Sequence, residues 1–369
     1  MRVALVHDWL TGMRGGEKVL DALAELFPEA TLFTLLHVPG TTSPRIESLP
    51  IRTAFTQRLP GVEKHYRWYL PLFPWAIESL DLEGFDLVVS SSHCAAKGIF
   101  PPIQGLHICY CHTPMRYVWD RFVDYFGTGP AARFVYGPIA RRLREWDRAS
   151  SRRVHHFVAN SRFVAERIRR YYDRTVDAII PPPVDTEFFA PREGPPDSYY
   201  LVVSALVPYK RIDLALEAFR GRPESLVVVG SGPSRRRLES LAGPNVSFRG
   251  WVDREELRDL YRGCRAVILP GVEDFGIVPL EAQACGRPVV ALGEGGALET
   301  VIDGETGVLF SEKTGKAVSD AIDKVSSLRL NSSVLRDWAL GFSLERFKSR
   351  MRTFVRERTG APMKETTDG

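Results

Sequence analysis

The chain has 369 residues, 44% of them hydrophobic and 25% charged, which is ordinary for a soluble globular enzyme of about two domains. A formal net charge of +4 is too small to argue for nucleic acid as a partner. No apolar run reaches the roughly 18 residues that span a bilayer, the N-terminus turns charged too soon for a signal peptide, and Cys94, Cys109, Cys111, Cys264 and Cys285, odd in number and without paired metal spacing, read as reduced intracellular thiols.

Residues 3–6 predict a buried strand that ends at His7 and Asp8. Gly12-Met13-Arg14-Gly15-Gly16 follows as a glycine-rich loop. The next helix carries Val19, Leu20, Leu23, Ala24 and Phe27 at helical spacing. Strand, glycine loop and helix together open a doubly wound unit. Short apolar strands recur at 87–89, 106–110, 156–159 and 178–180. Pro181-Pro182-Pro183 then breaks any element. A Pro/Gly-rich stretch follows, so the first domain is set at 1–185 and a linker at 186–198.

A second series runs from a strand at 200–204 through a helix at 212–219, a strand at 226–229 and the turn Gly230-Ser231-Gly232-Pro233. It continues with a helix at 234–241, a strand at 246–249, a helix at 255–262, a strand at 266–269, a helix at 277–285 and a last strand at 288–292. Such alternation predicts a second parallel-sheet α/β domain over 199–343. Two such domains leave a cleft, the default ligand site. A helix at 344–359, with Phe347, Met351 and Phe354 as its apolar stripe, is expected to pack back toward the first domain, ahead of a disordered tail at 360–369.

Gly271-Val272-Glu273-Asp274-Phe275-Gly276-Ile277-Val278-Pro279-Leu280-Glu281 carries the most chemistry. It lies between a buried strand and a helix that begins near Ile277, where Pro279 fits the first turn. Ligands of open α/β sheets bind at that edge, near helix starts that favour anions. Two carboxylates beside an anion site suit the acceptance of hydrogen bonds from sugar hydroxyls.

This segment resembles the E-x7-E signature of retaining glycosyltransferases of family 4, enzymes of the GT-B fold. The resemblance spans nearly the whole chain. Gly15-Gly16-Glu17 is similar to the family's first glycine loop, Cys111-His112-Thr113-Pro114 to its His-Thr segment, and the stretch from Val203 to Lys210 to its phosphate-binding lysine segment. Gly295-Gly296, Glu299 and Asp303-Gly304-Glu305-Thr306-Gly307 match its C-terminal elements. The fold so implied is α/β: two doubly wound, parallel-sheet, Rossmann-like domains facing across a cleft.

The resemblance also implies roles. Lys210 meets the donor diphosphate, as a compact point charge suits phosphate. Backbone groups of Phe275, Gly276 and Ile277 add anion contacts at the helix start. Glu281 takes the ribose hydroxyls, Glu273 the transferred sugar, and His112 holds a sugar hydroxyl. Gly230, Gly250 and Val252 lie in the stretches expected to select the base. Gly15, Gly16 and Asp8 form the phosphate and acceptor loop, and His7 and His93 are lesser candidates there. Many relatives place an arginine five residues before the lysine, where this chain has Ala205. Arg211, or another arginine, would have to replace it.

The implied reaction moves a hexose, such as mannose, from a nucleoside-diphosphate sugar to a saccharide or lipid-linked saccharide, with retention. No Asp-x-Asp occurs in the sequence, so transfer without a metal ion or other cofactor is expected. A sugar-nucleotide epimerase of the same fold and a catalytically silent nucleotide-binding scaffold are the rival readings. The aromatic and basic stretch from Lys64 to Trp75, with Arg141, Arg142, Arg144, Arg148, Arg152 and Arg153, suits peripheral contact with the inner face of a membrane from the cytoplasm. It reads equally as an aromatic core helix beside a solvated basic face, and the sequence leaves both open.

Overall fold

The structure, a computed structural model, describes residues 1–130, 132–194 and 196–360. Of the expected tail, everything after Gly360 lies outside the described residues. The chain divides into two compact units: Met1–Pro183 with the C-terminal segment from Glu345 on, and Val184–Leu344.

The first unit is built on seven parallel strands: β1 (Val3–His7), β2 (Thr31–Thr34), β3 (Ile51–Thr53), β4 (Leu87–Ser92), β5 (Leu106–Cys111), β6 (His156–Ala159) and β7 (Ala178–Ile179). Their order is β3-β2-β1-β4-β5-β6-β7. Successive residues of a strand point to opposite faces, and both faces are covered here. Ala4, Val6 and Val88 join one core cluster, while Cys109, Cys111 and Phe157 join another. That is why these strands read as continuous apolar runs. All five cysteines are buried free thiols. The C-terminal helix Leu344–Thr359 belongs to this unit: Phe347 meets the Tyr110 ring, Phe354 the His156 ring, and Lys348 Nζ pairs with Glu25 at 2.5 Å.

The second unit has six parallel strands: β8 (Tyr199–Val203), β9 (Ser225–Val229), β10 (Val246–Gly250), β11 (Val267–Leu269), β12 (Val289–Leu292) and β13 (Gly307–Phe310), in the order β10-β9-β8-β11-β12-β13. Alternation again splits each strand between two cores, Tyr200 and Val202 to one side and Leu201 to the other.

β2, β3 and β13 are not among the strands the sequence predicts. β3 has three residues and little burial, and β2 is a four-residue strand with a threonine at each end, so neither offers a long apolar run. The expected linker 186–198 is also corrected. Phe189 is buried in the second unit's core, and the Val184 amide donates to the Phe342 carbonyl at 2.9 Å. Pro and Gly density suggested a free connector, but Phe189 within it is a core residue, as is Val184 just ahead of it.

Both strand orders reverse once, between β1 and β4 in the first unit and between β8 and β11 in the second. In open α/β sheets such a switch point opens a crevice at the carboxyl ends of the strands. Asp8 and His93 follow β1 and β4. Lys210 and Glu273 follow β8 and β11.

Candidate active site

Strand register assembles the first unit's polar cluster. His7 lies beside Ser91, and Ser92 beside Cys111, so the end of β4 bridges His7 and the His112 that follows β5. The Ser91 hydroxyl sits 3.1 Å from His7 Nδ1 and 2.8 Å from His112 Nε2. One hydroxyl proton serves only one of these rings, so the other ring must donate to Ser91. Burial pushes His7 down to about 3 and holds His112 well below the usual imidazole range. Both rings are therefore neutral near pH 7. The His112 carbonyl accepts from Asn160 Nδ2 at 3.1 Å.

Asp8 anchors the turn after β4. Its buried carboxylate accepts the backbone amides of His93, Cys94, Ala95 and Ala96 at 2.7, 3.0, 2.5 and 2.7 Å. His93 Nδ1 stands 2.9 Å from the same carboxylate. Burial alone would raise the pKa of Asp8, but the facing His93 and these hydrogen bonds outweigh it and hold the group below the usual carboxylate range. Gly15 and Gly16 form the first turn of the helix Gly15–Leu26 rather than a loop ahead of it. A Cβ on Gly16 would stand 3.4 Å from His7 Cε1 and 3.8 Å from His112 Nε2, so glycine leaves both rings uncovered. His7 Nε2 is buried without a hydrogen-bond partner, 4.0 Å from Glu17 Oε1. Burial raises the pKa of Glu17. His107, by contrast, is a core histidine whose Nε2 lies 2.8 Å from Ser90 Oγ and whose Nδ1 is buried without a hydrogen-bond partner.

In the second unit Lys210 and Glu273 form a partly buried ion pair, with side chains 14% and 23% exposed. Packing that tolerates only glycine fixes the loop holding Glu273. A Cβ at Gly271 would come 2.7 Å from Lys210 Cα, and one at Gly296 would come 2.2 Å from the Phe275 carbonyl oxygen. The Gly296 amide also donates to the Glu273 carbonyl at 2.8 Å. Gly276, at φ +93°, caps the helix Ile277–Ala284. The Phe275 side chain is core, packed with Leu280 and Val184, so only its backbone is available to a ligand. Glu281 is buried in the helix and accepts the Tyr261 hydroxyl at 2.9 Å.

The remaining expected residues lie at the ends of β8 to β10. Gly230, at φ +128°, donates to the Gly250 carbonyl at 2.7 Å. Gly250 has the Arg235 guanidinium beside it, 3.2 Å from where a Cβ would sit. Val252 packs on the core. Arg211, at φ +51°, precedes the helix Ile212–Ala218 and is paired with Asp213 at 3.1 Å.

Ser91 and Tyr261 join these sites without having been singled out from sequence, and Glu17, quoted there only within the glycine-loop match, stands beside His7. Trp251, 80% exposed between Gly250 and Val252, was passed over as well, although an indole just past a strand's end was a usable signal.

Two family descriptions match the chain. "Glycosyltransferase Family 4" matches residues 13–188 and "Glycosyl transferases group 1" matches 184–337. The chain belongs to the family 4-like glycosyltransferases of the GT-B fold. It is 34% identical over 194 residues to a GDP-mannose-dependent alpha-(1-6)-phosphatidylinositol monomannoside mannosyltransferase of Mycolicibacterium smegmatis, covering 44% of this chain and 51% of that one. It is 33% identical over 185 residues to a D-inositol 3-phosphate glycosyltransferase of Streptomyces bingchenggensis, covering 41% of each. The matches thus span about half the length of these curated relatives or less. Among solved structures, the Anabaena protein HepE in complex with UDP is similar with a TM-score of 0.71 at 16% identity, covering 97% of this chain and 100% of that one. A sucrose-phosphate synthase from Thermosynechococcus elongatus is similar with a TM-score of 0.72 at 21% identity, covering 98% and 100%. These likenesses establish the GT-B fold.

Proposed function

We propose that this glycosyltransferase moves a hexose, such as mannose, from a nucleoside-diphosphate sugar to a saccharide or lipid-linked saccharide, with retention and without a metal ion. The observation that carries the reading is the Lys210–Glu273 pair at the second unit's switch point, just ahead of the helix that carries Glu281. Lys210 and the amides at Gly276 and Ile277 offset the charge of the departing diphosphate. Glu281, oriented by Tyr261, accepts the ribose hydroxyls, and Glu273 a hydroxyl of the transferred sugar. The bond from the anomeric carbon to the diphosphate oxygen breaks. The acceptor oxygen bonds to the same face of that carbon, and the acceptor's hydroxyl proton passes to the departing phosphate. The first unit's neutral His112 supplies a polar contact to the sugar. A relative named GDP-mannose-dependent and a neighbour solved with UDP support a nucleotide donor and leave the base open.

One experiment tests this reading. A thermal-shift screen against GDP, UDP, ADP and dTDP selects the base, because a matched ligand stabilises by RT ln(1 + [L]/Kd). Transfer from the matching sugar nucleotide is then followed by NMR in excess EDTA. Turnover with the donor's anomeric configuration retained is expected. Inversion, or activity restored only by a divalent cation, overturns the mechanism.

We further propose peripheral binding of the cytoplasmic protein to an anionic membrane face. Among the described residues no helix is long and apolar enough to cross a membrane. The stretch from Lys64 to Trp75 is split: Tyr66, Leu70 and Phe73 are core, while Trp68 and Trp75 are 75% and 67% exposed. Arg141, Arg142, Arg148 and Arg152 are exposed too, and each cation near an anionic surface contributes about 1 kcal/mol. Flotation with anionic but not neutral liposomes, reduced by salt and by the double change Trp68→Ala and Trp75→Ala, is the expected result. Absence of flotation rules it out.

A further inference from the structure

The first unit contains a cavity of about 150 Å³ that the roles above leave unused. Trp9, Leu70, Phe73, Tyr117 and Tyr125 wall it, with Trp68 and Arg67. Trp9, Leu70, Phe73 and Tyr117 are buried, so the wall is built into the core. Trp68 and Tyr125 are 75% and 38% exposed. Three separate parts of the chain meet here. Trp9 directly follows Asp8 at the end of β1. Leu70 and Phe73 come from the short helical segments Tyr66–Leu72 and Phe73–Glu78. Tyr117 and Tyr125 come from the chain after β5.

Trp9 links the cavity to the polar cluster. Its indole lies 4.9 Å from the Tyr66 ring and 6.0 Å from the Phe73 ring, and it meets His93 edge-on at 4.5 Å. A group held in the cavity is therefore one side chain away from the His93–Asp8 pair.

The lining selects the ligand's chemistry. Five of its seven side chains are aromatic and one is Leu70, and a buried hydroxyl without a partner is costly. A pyranose with several hydroxyls would leave most of them unsatisfied on such walls, whereas a hydrocarbon segment would not. The volume is that of a cavity able to take one benzene-sized ring, so a short chain segment fits. Arg67 supplies the other half of the specificity. Its guanidinium lies over the Tyr66 ring at 5.0 Å, and no carboxylate among the described residues pairs with it. An exposed, unneutralised guanidinium beside an apolar cavity calls for an anion attached to hydrocarbon, and its planar fork matches phosphate.

We propose that this cavity binds the hydrocarbon segment adjoining the phosphate of a phosphorylated lipid acceptor, with Arg67 on the phosphate. The proposal rests on the transferase reading above and narrows its acceptor from any saccharide to one carried on a phosphorylated lipid. The lipid is a single-chain prenyl phosphate or a two-chain glycerophospholipid.

Tryptophan fluorescence titration of the full chain separates these cases. The probes are geranyl phosphate, dihexanoyl phosphatidate, geraniol and inorganic phosphate. Geranyl phosphate or the phosphatidate is expected to bind at least tenfold tighter than geraniol or phosphate alone, and the tighter of the two identifies the carrier. Arg67→Ala should weaken that lipid tenfold or more and leave geraniol unchanged. Tyr125→Ala should weaken both. Both positions are exposed, and an unchanged unfolding midpoint confirms an intact fold. Binding of the phosphorylated lipids no tighter than of geraniol or phosphate, or unaffected by Arg67→Ala, overturns the proposal. Nucleotide binding measured on the same samples keeps the two readings apart. A cavity that fails while a nucleotide binds removes only this proposal, and a lipid that binds where no nucleotide does removes the transferase reading and the lipid's role as acceptor while the binding site stands.

Discussion

Asp8→Ala is expected to destabilise the first unit by about 3 kcal/mol or more, because it strips the acceptor from several buried backbone donors at once. The carboxylate is fully buried and satisfies four consecutive backbone amides, from His93 to Ala96, as well as the His93 ring. Alanine leaves those donors without their acceptor, and an unsatisfied buried donor costs about 1–3 kcal/mol. Asp8→Asn should recover little, because its amide nitrogen would face N–H groups where an oxygen stood. Urea or thermal unfolding of the variants reads the loss directly. A midpoint within a degree of the wild type would show that the turn after β4 holds itself.

The same cluster sets the pH dependence of stability, and the sign differs by group. The pKa of Asp8 is depressed in the fold, so its contribution is present above the unfolded value of 3.8 and is lost as pH falls through the lower folded value. His7 and His107 are lowered from 6.5 to about 3 by burial. Unfolded chains take up protons at these histidines below pH 6.5 while the folded chain does not until about pH 3. Each therefore withdraws about 1.4 kcal/mol of stability per pH unit across that window. Acid destabilisation should begin just below pH 6.5, well above the carboxylate range. His7→Gln should flatten that limb, and an unfolding midpoint independent of pH between 6.5 and 4 would contradict the assignment.

Legibility in the sequence followed the length of the physical signal. β1, β8 and the helix Ile277–Ala284 were readable because burial on both faces, or a proline in the first turn, leaves a local pattern. β3 was not, because three residues, two of them exposed, carry none. The site was readable as residue types at strand ends, and the partnerships were not. His7, Ser91 and His112 become neighbours only because β1, β4 and β5 are adjacent in the sheet. Tyr261 reaches Glu281 from another helix 20 residues away. The resemblance compensated for this at Lys210 and Glu273, but it described their ligands and not their pairing with each other.

That pairing makes the next prediction a pair of opposite effects. Lys210→Ala is expected to lower kcat/KM by about a hundredfold to a thousandfold, the usual effect of removing one preorganised group that stabilises developing charge. It should also weaken the nucleoside diphosphate, since it removes a cation and leaves Glu273 unneutralised beside the phosphates. Glu273→Gln removes no cation. Glu273 is the partner of Lys210, so its neutralisation frees the ammonium for the diphosphate. Nucleotide affinity should then hold or rise while kcat falls by about a hundredfold, because the sugar hydroxyl loses its charged acceptor as charge develops. Equilibrium binding of the matched nucleotide and steady-state kinetics on both variants separate the roles. In the double variant the losses should fall short of additive, since each change removes a partner of the other. If Glu273→Gln instead weakens the nucleotide as much as Lys210→Ala and leaves kcat unchanged, the pair acts as one structural clamp on the donor, and the assignment of Glu273 to the transferred sugar fails.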